Sequence, residues 1–171
     1  MLKALYYCHK VVGVIHRDIK PDNIMLNHNN QAVLIDFGVS IILDSPSDDC
    51  IGGNLGSILY HAPEMFEQGK KHRGEKTDIW ALGVTLYYIL SGVYPHRNYL
   101  NVFDFREQVL QNEIDYSLIK CQDARNILKK ILVKDPENRA SLLDLADDDW
   151  VTNNEKEVVN IKDIEFIHSE P

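Results

Sequence analysis

The chain has 171 residues, of which 44% are hydrophobic and 26% are charged, and its formal net charge at pH 7 is -8. This composition is typical of one soluble globular domain with a buried core. The acidic balance disfavours a nucleic-acid partner, because proteins that bind the phosphate backbone carry clustered basic surface.

Signals for secretion and membrane insertion are weak. Lys10 and Arg17 interrupt the first apolar stretch and no small-residue cleavage site follows, so we expect no signal peptide. The longest apolar run, residues 79–90, is shorter than the roughly 20 residues that a membrane span needs. Three cysteines, an odd number at wide spacing, predict free thiols in a reducing compartment: Cys8, Cys50 and Cys121. We therefore expect an intracellular, cytoplasmic protein with no membrane partner.

The first predicted elements are one helix and three short strands. An amphipathic helix that ends near Gly13 is predicted, because four residues recur at the spacing of one helix face: Leu2, Leu5, Tyr6 and His9. A strand follows at residues 14–16. Residues 24–26 and 32–35 predict a hairpin joined by the polar turn 27–30.

A long segment without periodicity occupies the middle of the chain. Residues 38–59 are rich in Ser, Asp and Gly and predict an irregular loop, and loops of this length are usually functional. The basic stretch 69–74 is predicted to be a solvated loop. An apolar helix follows at residues 78–91, with Gly92 as its stop, and we expect Trp80 and its tyrosines in the core.

The last third of the chain is predicted to be helical and then to lose its pattern. Residues 101–111 and 123–133 predict two helices, and the second is broken by Asp135 and Pro136. A short helix is predicted at residues 141–147. Residues 151–171 are acidic and weakly patterned, so we expect a C-terminal tail after a domain at residues 1–150.

Three motifs carry the chemical information. HRDIKPDN occupies residues 16–23, DFG occupies residues 36–38 and APE occupies residues 62–64. In this order and spacing they resemble the catalytic loop, the metal-binding loop and the end of the activation segment of eukaryotic-type serine/threonine protein kinases. The resemblance implies an α+β, mainly α-helical, protein-kinase-like fold, represented by its C-terminal lobe only.

The resemblance also implies roles for four polar residues. Asp18 would accept the proton of the substrate hydroxyl, and Lys20 would offset charge on the transferring phosphate. Asn23 and Asp36 would bind Mg²⁺, which prefers oxygen ligands. Lys20 and Asn23 would thus serve both catalysis and ATP binding. Taken alone, Asp18 or Asp36 could equally be a turn or cap residue.

Two further residues refine the predicted substrates. Ser57 lies where serine/threonine kinases carry a small hydroxyl residue that bridges the base and the lysine, which favours protein Ser/Thr hydroxyls as acceptors. Met25 would form the floor of the adenine pocket, and simple core packing is its alternative role. The predicted ligands are therefore ATP, Mg²⁺ and a protein substrate.

Several other residues have predicted structural roles in such a fold. Glu64 and Arg139 would form a buried ion pair that anchors the activation segment. Asp78 would accept hydrogen bonds from the catalytic-loop backbone, or act only as a helix N-terminal charge. His16 and Phe37 would be packing residues in an internal hydrophobic column, as the resemblance implies, and not catalysts. Histidines such as His61 and His72 would be surface or structural residues.

The kinase elements that normally precede this region are missing from the sequence. It contains no glycine-rich phosphate loop, no strand lysine and no helix glutamate to pair with that lysine. The chain is either a fragment or truncated form of an active kinase, which the intact motifs favour, or a half-kinase that works as a binding module. A small-molecule phosphotransferase with a similar loop is a third interpretation, disfavoured by Lys20-Pro21 and the APE motif.

The nearest resemblance within the family is to the calcium/calmodulin-dependent protein kinase kinases, through IDFGVS and ALGVTLYYILSGVYP. Arg17 precedes Asp18, and kinases with that arginine use it to bind a phosphorylated loop residue. Here Asp48 and Asp49 would supply that negative charge without modification. Ser45 and Ser47 are the alternative phosphorylation sites. The oligomeric state cannot be predicted.

Overall fold

The structure, a computed structural model, describes residues 1–67 and 69–152. It contains six α-helices and six two- or three-residue strands in its described part, joined by single turns of 3-10 helix. The helices are α1 (Leu2–Tyr6), α2 (Gly74–Ser91), α3 (Val102–Gln111), α4 (Gln122–Ile131), α5 (Leu142–Ala146) and α6 (Asp149–Thr152). The strands are β1 (Val14–Ile15), β2 (Ile24–Leu26), β3 (Ala32–Leu34), β4 (Ile41–Ile42), β5 (Cys50–Ile51) and β6 (His72–Arg73).

Helix α1 continues as a π-helix over Tyr7–Val12 and ends at Gly13, which adopts a left-handed conformation with φ 71°. Leu5 and His9 are fully buried on its inner face. The predicted amphipathic helix and its glycine stop are therefore confirmed, and the wider helical turn is the difference. A left-handed residue at a helix end favours glycine because it has no Cβ to clash.

The described residues contain three antiparallel ribbons, and two of them connect segments that are distant in sequence. The hairpin β2–β3 pairs Ile24 with Leu34 and was predicted. Strand β1 pairs with β4, and β5 pairs with β6. The prediction of an irregular segment at 38–59 is wrong at β4 and β5, and the basic stretch is not simply a solvated loop, because β6 lies within it. Two-residue strands carry no periodicity, so only their partners define them.

Helix α2 forms the centre of the molecule. It begins four residues before the predicted start and ends at Gly92, whose N–H donates to the carbonyl of Tyr88. Trp80 and Tyr87 are buried as predicted, whereas Tyr88 remains partly exposed. The hydrophobic core surrounds this helix and includes side chains of α1, α3, α4 and α5.

The later helices lie close to their predicted positions. The side chain of Asn101 accepts hydrogen bonds from the backbone N–H groups of Phe103 and Asp104 at the start of α3. Ser141 and Asp144 form a reciprocal capping box at α5. Residues 153–171, which hold most of the predicted tail, lie outside the described residues.

An open apolar cavity of about 1000 Å³ lies between α1, the β2–β3 hairpin and α2. Leu82, Leu86 and Ile89 line one wall, and Trp150 and Val151 lie at its edge. In the described part of the chain, no helix is both long and apolar enough to cross a membrane. Cys8, Cys50 and Cys121 are free thiols, as predicted.

Three buried histidines make stability depend on pH. His61, His72 and His96 are each less than 10% exposed, so the first two are structural and not surface residues. Burial lowers the pKa of His96 to about 4, and the charge of Lys134 adds to this effect. Burial likewise lowers the pKa of His61 and of His72. Each imidazole is neutral in the fold because protonation would leave a charge away from water.

We expect acid to destabilise the chain through His96. Its pKa is lower in the fold than the ordinary value of 6.5, so the unfolded chain takes up the proton first and stability falls as the pH drops from 6.5 towards 4. The expected loss is on the order of 3 kcal/mol. Urea unfolding across this pH range measures it. His96→Phe should flatten the profile and the exposed control His28→Gln should not; equal profiles for all three proteins would contradict the assignment.

Candidate active site

Asp18 and Lys20 of the catalytic-loop motif form a compact polar triangle with Ser57. Lys20 Nζ lies 2.7 Å from Asp18 Oδ2 and donates a hydrogen bond of 2.8 Å to Ser57 Oγ. The backbone N–H of Ser57 donates to Asp18 Oδ1 at 2.8 Å. The prediction that Ser57 bridges the aspartate and the lysine is confirmed as a contact.

Electrostatics keep Asp18 ionised. Burial alone would raise the pKa of its carboxyl group, but hydrogen bonds from Lys20 and Ser57, with the charge of Lys20, outweigh burial and lower the pKa. Asp18 is therefore a carboxylate at neutral pH, held in one orientation by donors from Lys20, Ser57 and Asn23. Such a group can accept a proton or orient a hydroxyl.

Asn23 is positioned by Asp18 and by the hairpin. It is 5% exposed, and its Nδ2 donates to the carbonyl oxygen of Asp18 at 2.8 Å and to Asp18 Oδ2 at 3.0 Å. The backbone carbonyl oxygen of Asn23 accepts a hydrogen bond of 2.9 Å from the backbone N–H of Ile35. The hairpin thus returns the chain to Asn23 one residue before Asp36.

Asp36 stands at the end of this return in a strained conformation. Its φ of 60° lies in the left-handed region, which is rare for a residue with a side chain and is concentrated at functional sites. Its Oδ1 accepts a hydrogen bond of 3.1 Å from the N–H of Gly38, and its side chain is exposed. Next to it, the rings of Phe37 and His16 contact edge to face at 4.8 Å. The predicted internal packing is confirmed for buried His16 and wrong for Phe37, which is 44% exposed.

Asp78 holds the backbone at the start of the catalytic loop in place. Its carboxylate accepts hydrogen bonds from the backbone N–H groups of His16 at 2.9 Å and Arg17 at 2.8 Å. The predicted role is confirmed, and it explains how Arg17 keeps its left-handed φ of 72°. Sequence reasoning missed a third partner, buried His9, whose Nε2 lies 2.8 Å from Asp78 Oδ2. A polar ring on the inner face of a helix was the available signal, because buried polar groups need partners.

Gly56 allows the second segment to approach the loop. Its φ is 99°, and a Cβ there would lie 2.1 Å from the carbonyl oxygen of Arg17. Only glycine fits, because any side chain would overlap this backbone. The close approach brings Ser57 to Asp18 and Lys20.

The predicted ion pair between Glu64 and Arg139 is confirmed. Arg139 Nη1 and Nη2 donate to the two Glu64 carboxylate oxygens at 2.7 and 2.9 Å. Arg139 also donates to the carbonyl oxygens of Val133 and Lys76, and it lies 5.0 Å from the ring centre of Trp80. The pair fastens the APE segment to α2 and to the loop after α4.

The predicted contact of Asp48 and Asp49 with Arg17 is wrong. Asp49 is 3% exposed, and its carboxylate pairs with Arg73 and accepts from the N–H of Glu75. The Asp49 carboxylate therefore offsets the positive charge of Arg73 in β6 and caps the N-terminus of α2. Asp48 accepts a local hydrogen bond from the N–H of Cys50.

Met25 points away from the core. It is 57% exposed, so the alternative of simple core packing is wrong for the described residues, and its place in an adenine pocket stays a prediction. Among residues 1–67 and 69–152, no three His, Cys, Asp or Glu side chains gather into a metal centre. Asn23 and Asp36 together offer one amide oxygen and one carboxylate at the same end of the hairpin.

The family follows from comparison with known proteins. A model of the protein kinase domain matches residues 1–151. The chain belongs to the protein kinase family. Residues 16–23, 36–38 and 62–64 are therefore kinase motifs, and the predicted resemblance is confirmed.

Curated relatives of this kinase chain are protein kinases by name, and two of the three described next are named as serine/threonine kinases. CBL-interacting protein kinase 10 of Oryza sativa subsp. japonica is 32% identical over 151 residues, covering 88% of this chain and 33% of the relative. Serine/threonine-protein kinase ppk34 of Schizosaccharomyces pombe is 36% identical over 157 residues, covering 91% and 43%. CBL-interacting serine/threonine-protein kinase 5 of Arabidopsis thaliana is 32% identical, covering 90% and 34%. The chain thus spans less than half the length of these relatives. The narrower resemblance to calmodulin-dependent kinase kinases stays a prediction.

Proposed function

We propose that this chain is the catalytic part of a serine/threonine protein kinase, which transfers the γ-phosphate of ATP to a protein hydroxyl. One observation carries the proposal: Asp18, Lys20 and Ser57 are joined by contacts of 2.7 to 2.8 Å. A carboxylate held beside a cation is suited to orient a hydroxyl and to offset phosphate charge. A binding module would not need this arrangement.

Each polar residue has a distinct part in the proposed reaction. Asp18 accepts the proton of the attacking hydroxyl, and Lys20 stabilises negative charge on the transferring phosphate. Ser57 keeps both side chains in place through its backbone N–H and its hydroxyl. Asn23 fixes Asp18 through its amide nitrogen, which leaves its amide oxygen for a cation.

The oxygen ligands of Asn23 and Asp36 fit Mg²⁺. This ion is usually held by one or two protein groups together with substrate phosphates, and not by a cage made of protein alone. A site with one carboxylate and one amide oxygen matches this mode of Mg²⁺ binding. Bound Mg²⁺ would neutralise charge on the ATP phosphates. Met25, exposed beside Asn23, would contact the adenine.

We further propose that residues 1–150 form the C-terminal lobe and residues 151–171 a tail. No glycine-rich phosphate loop occurs in the 171 residues, and that loop covers the phosphates in kinases. The chain alone should therefore be inactive. Use of ATP, together with three free cysteine thiols, favours the cytoplasm as its compartment.

Phosphoryl transfer assays test this proposal. We expect no transfer to a mixed serine and threonine peptide set by the 171-residue chain with ATP and Mg²⁺. Transfer should appear when the chain is joined to the N-terminal part of a relative's kinase domain. A joined protein that folds and binds ATP but transfers nothing would contradict the proposal and favour a half-kinase binding module.

A further inference from the structure

The open apolar cavity beside α1 has no role in the proposed reaction. Its volume of about 1000 Å³ is at the upper end of the range for cavities that hold a drug-sized ligand, so it has room for several large side chains. Ile127 and Leu145 form part of its floor and are buried. Leu26 and Ile89 also line it, yet they remain 67% and 62% exposed. Apolar side chains exposed together around one cavity indicate a surface that binds something.

The cavity is bordered by one charged side chain among its described lining residues, that of Lys3. Within residues 1–67 and 69–152, no Asp or Glu forms an ion pair with Lys3. An occupant that carries a carboxylate next to its apolar groups would give Lys3 a partner, whereas a basic occupant would be repelled. The lining therefore favours an apolar and acidic occupant.

The described part of the chain ends at this cavity. Trp150 and Val151 line its edge, and the last described residue is Thr152. Residues 153–171 follow. In an extended conformation, residues 153–157 can carry the chain up to about 17 Å, which is enough to cross a cavity of this volume. The residues after 157 can therefore reach every part of the lining.

Residues 158–167 have the composition that the cavity favours. Most of them are apolar: Val158, Val159, Ile161, Ile164, Phe166 and Ile167. Acidic side chains precede or interrupt this stretch: Glu155, Glu157, Asp163 and Glu165. Burial of the apolar side chains in the cavity would remove both surfaces from water, and the nearby carboxylates could pair with Lys3.

We propose that residues 158–167 of the same chain occupy the cavity between α1, the β2–β3 hairpin and α2, with an acidic side chain of the segment beside Lys3. The inference goes beyond the proposed function, because it assigns a partner to the tail and does not depend on phosphoryl transfer. Attachment favours this occupant over a second copy of the chain. A segment tethered by a short linker acts at an effective concentration in the millimolar range.

NMR of the 171-residue chain with labelled methyl groups and aromatic rings tests the contact directly. We expect nuclear Overhauser cross-peaks between the ring of Phe166 and the methyl groups of Leu26, Leu86 and Ile89. In an equal mixture of two differently labelled samples, these cross-peaks should not arise between chains. Cross-peaks found only between chains would assign the cavity to a second copy. That result, or the absence of any cross-peak from residues 158–167 to the cavity, would overturn the proposal.

A competition experiment measures how firmly the segment binds. A fluorescent peptide of residues 153–171 is titrated with the whole chain, whose own segment should exclude it. A released chain, with Ile161→Ser and Phe166→Ser, should bind the peptide at least about tenfold more tightly than the parent chain does. Added to the released chain, Leu26→Ser should reduce that affinity about tenfold. The matched control is Ile42→Ser, at a strand residue outside the cavity that is 77% exposed.

The affinities decide between the segment and an unspecific apolar contact. Equal affinity of the parent and released chains, or an equal effect of Leu26→Ser and Ile42→Ser, would overturn the proposal. Both positions are exposed in the described part of the chain, so neither replacement opens a hole in the core.

The charge of Lys3 is tested with the same peptide. In the released chain, Lys3→Glu should weaken peptide binding about two- to fivefold, which is the range of an exposed ion pair. The control Lys70→Glu, at an exposed position outside the cavity, should leave the affinity unchanged. An unchanged affinity for Lys3→Glu would refute the placement of a carboxylate beside Lys3.

The joined protein described above tests the remaining occupant. If the added N-terminal part gives cross-peaks to the methyl groups of Leu86 and Ile89 in place of Phe166, the cavity belongs to that part and the proposal is overturned. Cross-peaks from Phe166 that persist in the joined protein would support it. The transfer assay has no bearing on either outcome, so this proposal and the kinase function can fail separately.

Discussion

Glu64→Ala is expected to lower the free energy of unfolding by about 3–5 kcal/mol. The Arg139 side chain is fully buried and its partner is 10% exposed, so removal of the carboxylate leaves a cation without compensation and without access to water. Arg139→Leu should have a similar cost, because the Glu64 carboxylate and the carbonyl oxygens that Arg139 satisfies lose their donor. Urea unfolding measured by tryptophan fluorescence reports both losses, since Trp80 lies under the guanidinium.

A double-mutant cycle isolates the contact itself. The Glu64→Ala and Arg139→Leu double variant should be more stable than the sum of the single losses predicts, because neither charge is then left alone. The surface control is Arg106→Ala, which breaks the exposed pair with Glu107 and should cost less than about 1 kcal/mol. Coupling near zero, or a cost for Glu64→Ala no larger than that of the control, would show that the pair does not anchor the segment.

Asp18→Asn is expected to have the largest effect on activity. In the two-lobe joined protein it should lower kcat by about 10² to 10⁴, which is the contribution typical of a positioned general base. Asparagine keeps the size of the side chain and one acceptor for the Ser57 N–H, but it loses the charge that pairs with Lys20 and the ability to take a proton.

Stability measurements exclude an indirect cause for this loss. Asp18 is partly exposed, so its ion pair with Lys20 should stabilise the fold only weakly, and Asp18→Asn should leave the melting temperature nearly unchanged. Asp44→Asn, in an exposed loop, is the matched control and should retain full kcat. A kcat for Asp18→Asn within a few-fold of the parent protein would refute the assigned role of Asp18.

The catalytic loop was predictable because its information is local. Asp18, Lys20 and Asn23 lie within six residues, so their contacts depend on one short loop and on the hairpin that follows it. The hairpin itself has alternating strands and a polar turn, which is a pattern that sequence can show. The pair of Glu64 and Arg139, separated by 75 residues, was predicted from the family resemblance and not from any pattern of its own.

Other features could not be predicted because distant partners decide them. In the sequence, Asp49 looks like a solvated loop residue. Pairing of β5 with β6 instead brings Arg73 next to Asp49, which is buried. The same pairing buries His72. Strands of two residues have no detectable period, so their existence depends on which segment lies beside them.

The kinase motifs, the glycine stops and the apolar helix α2 could be identified from the amino-acid order alone, because they depend on residue types at short spacing. The partners of buried polar groups became visible only in three dimensions: His9 lies beside Asp78, and Asp49 lies beside Arg73. Burial and ion pairing depend on what surrounds a side chain in three dimensions, and a carboxylate has the same appearance in sequence whether it caps a helix, neutralises an arginine or faces a ligand.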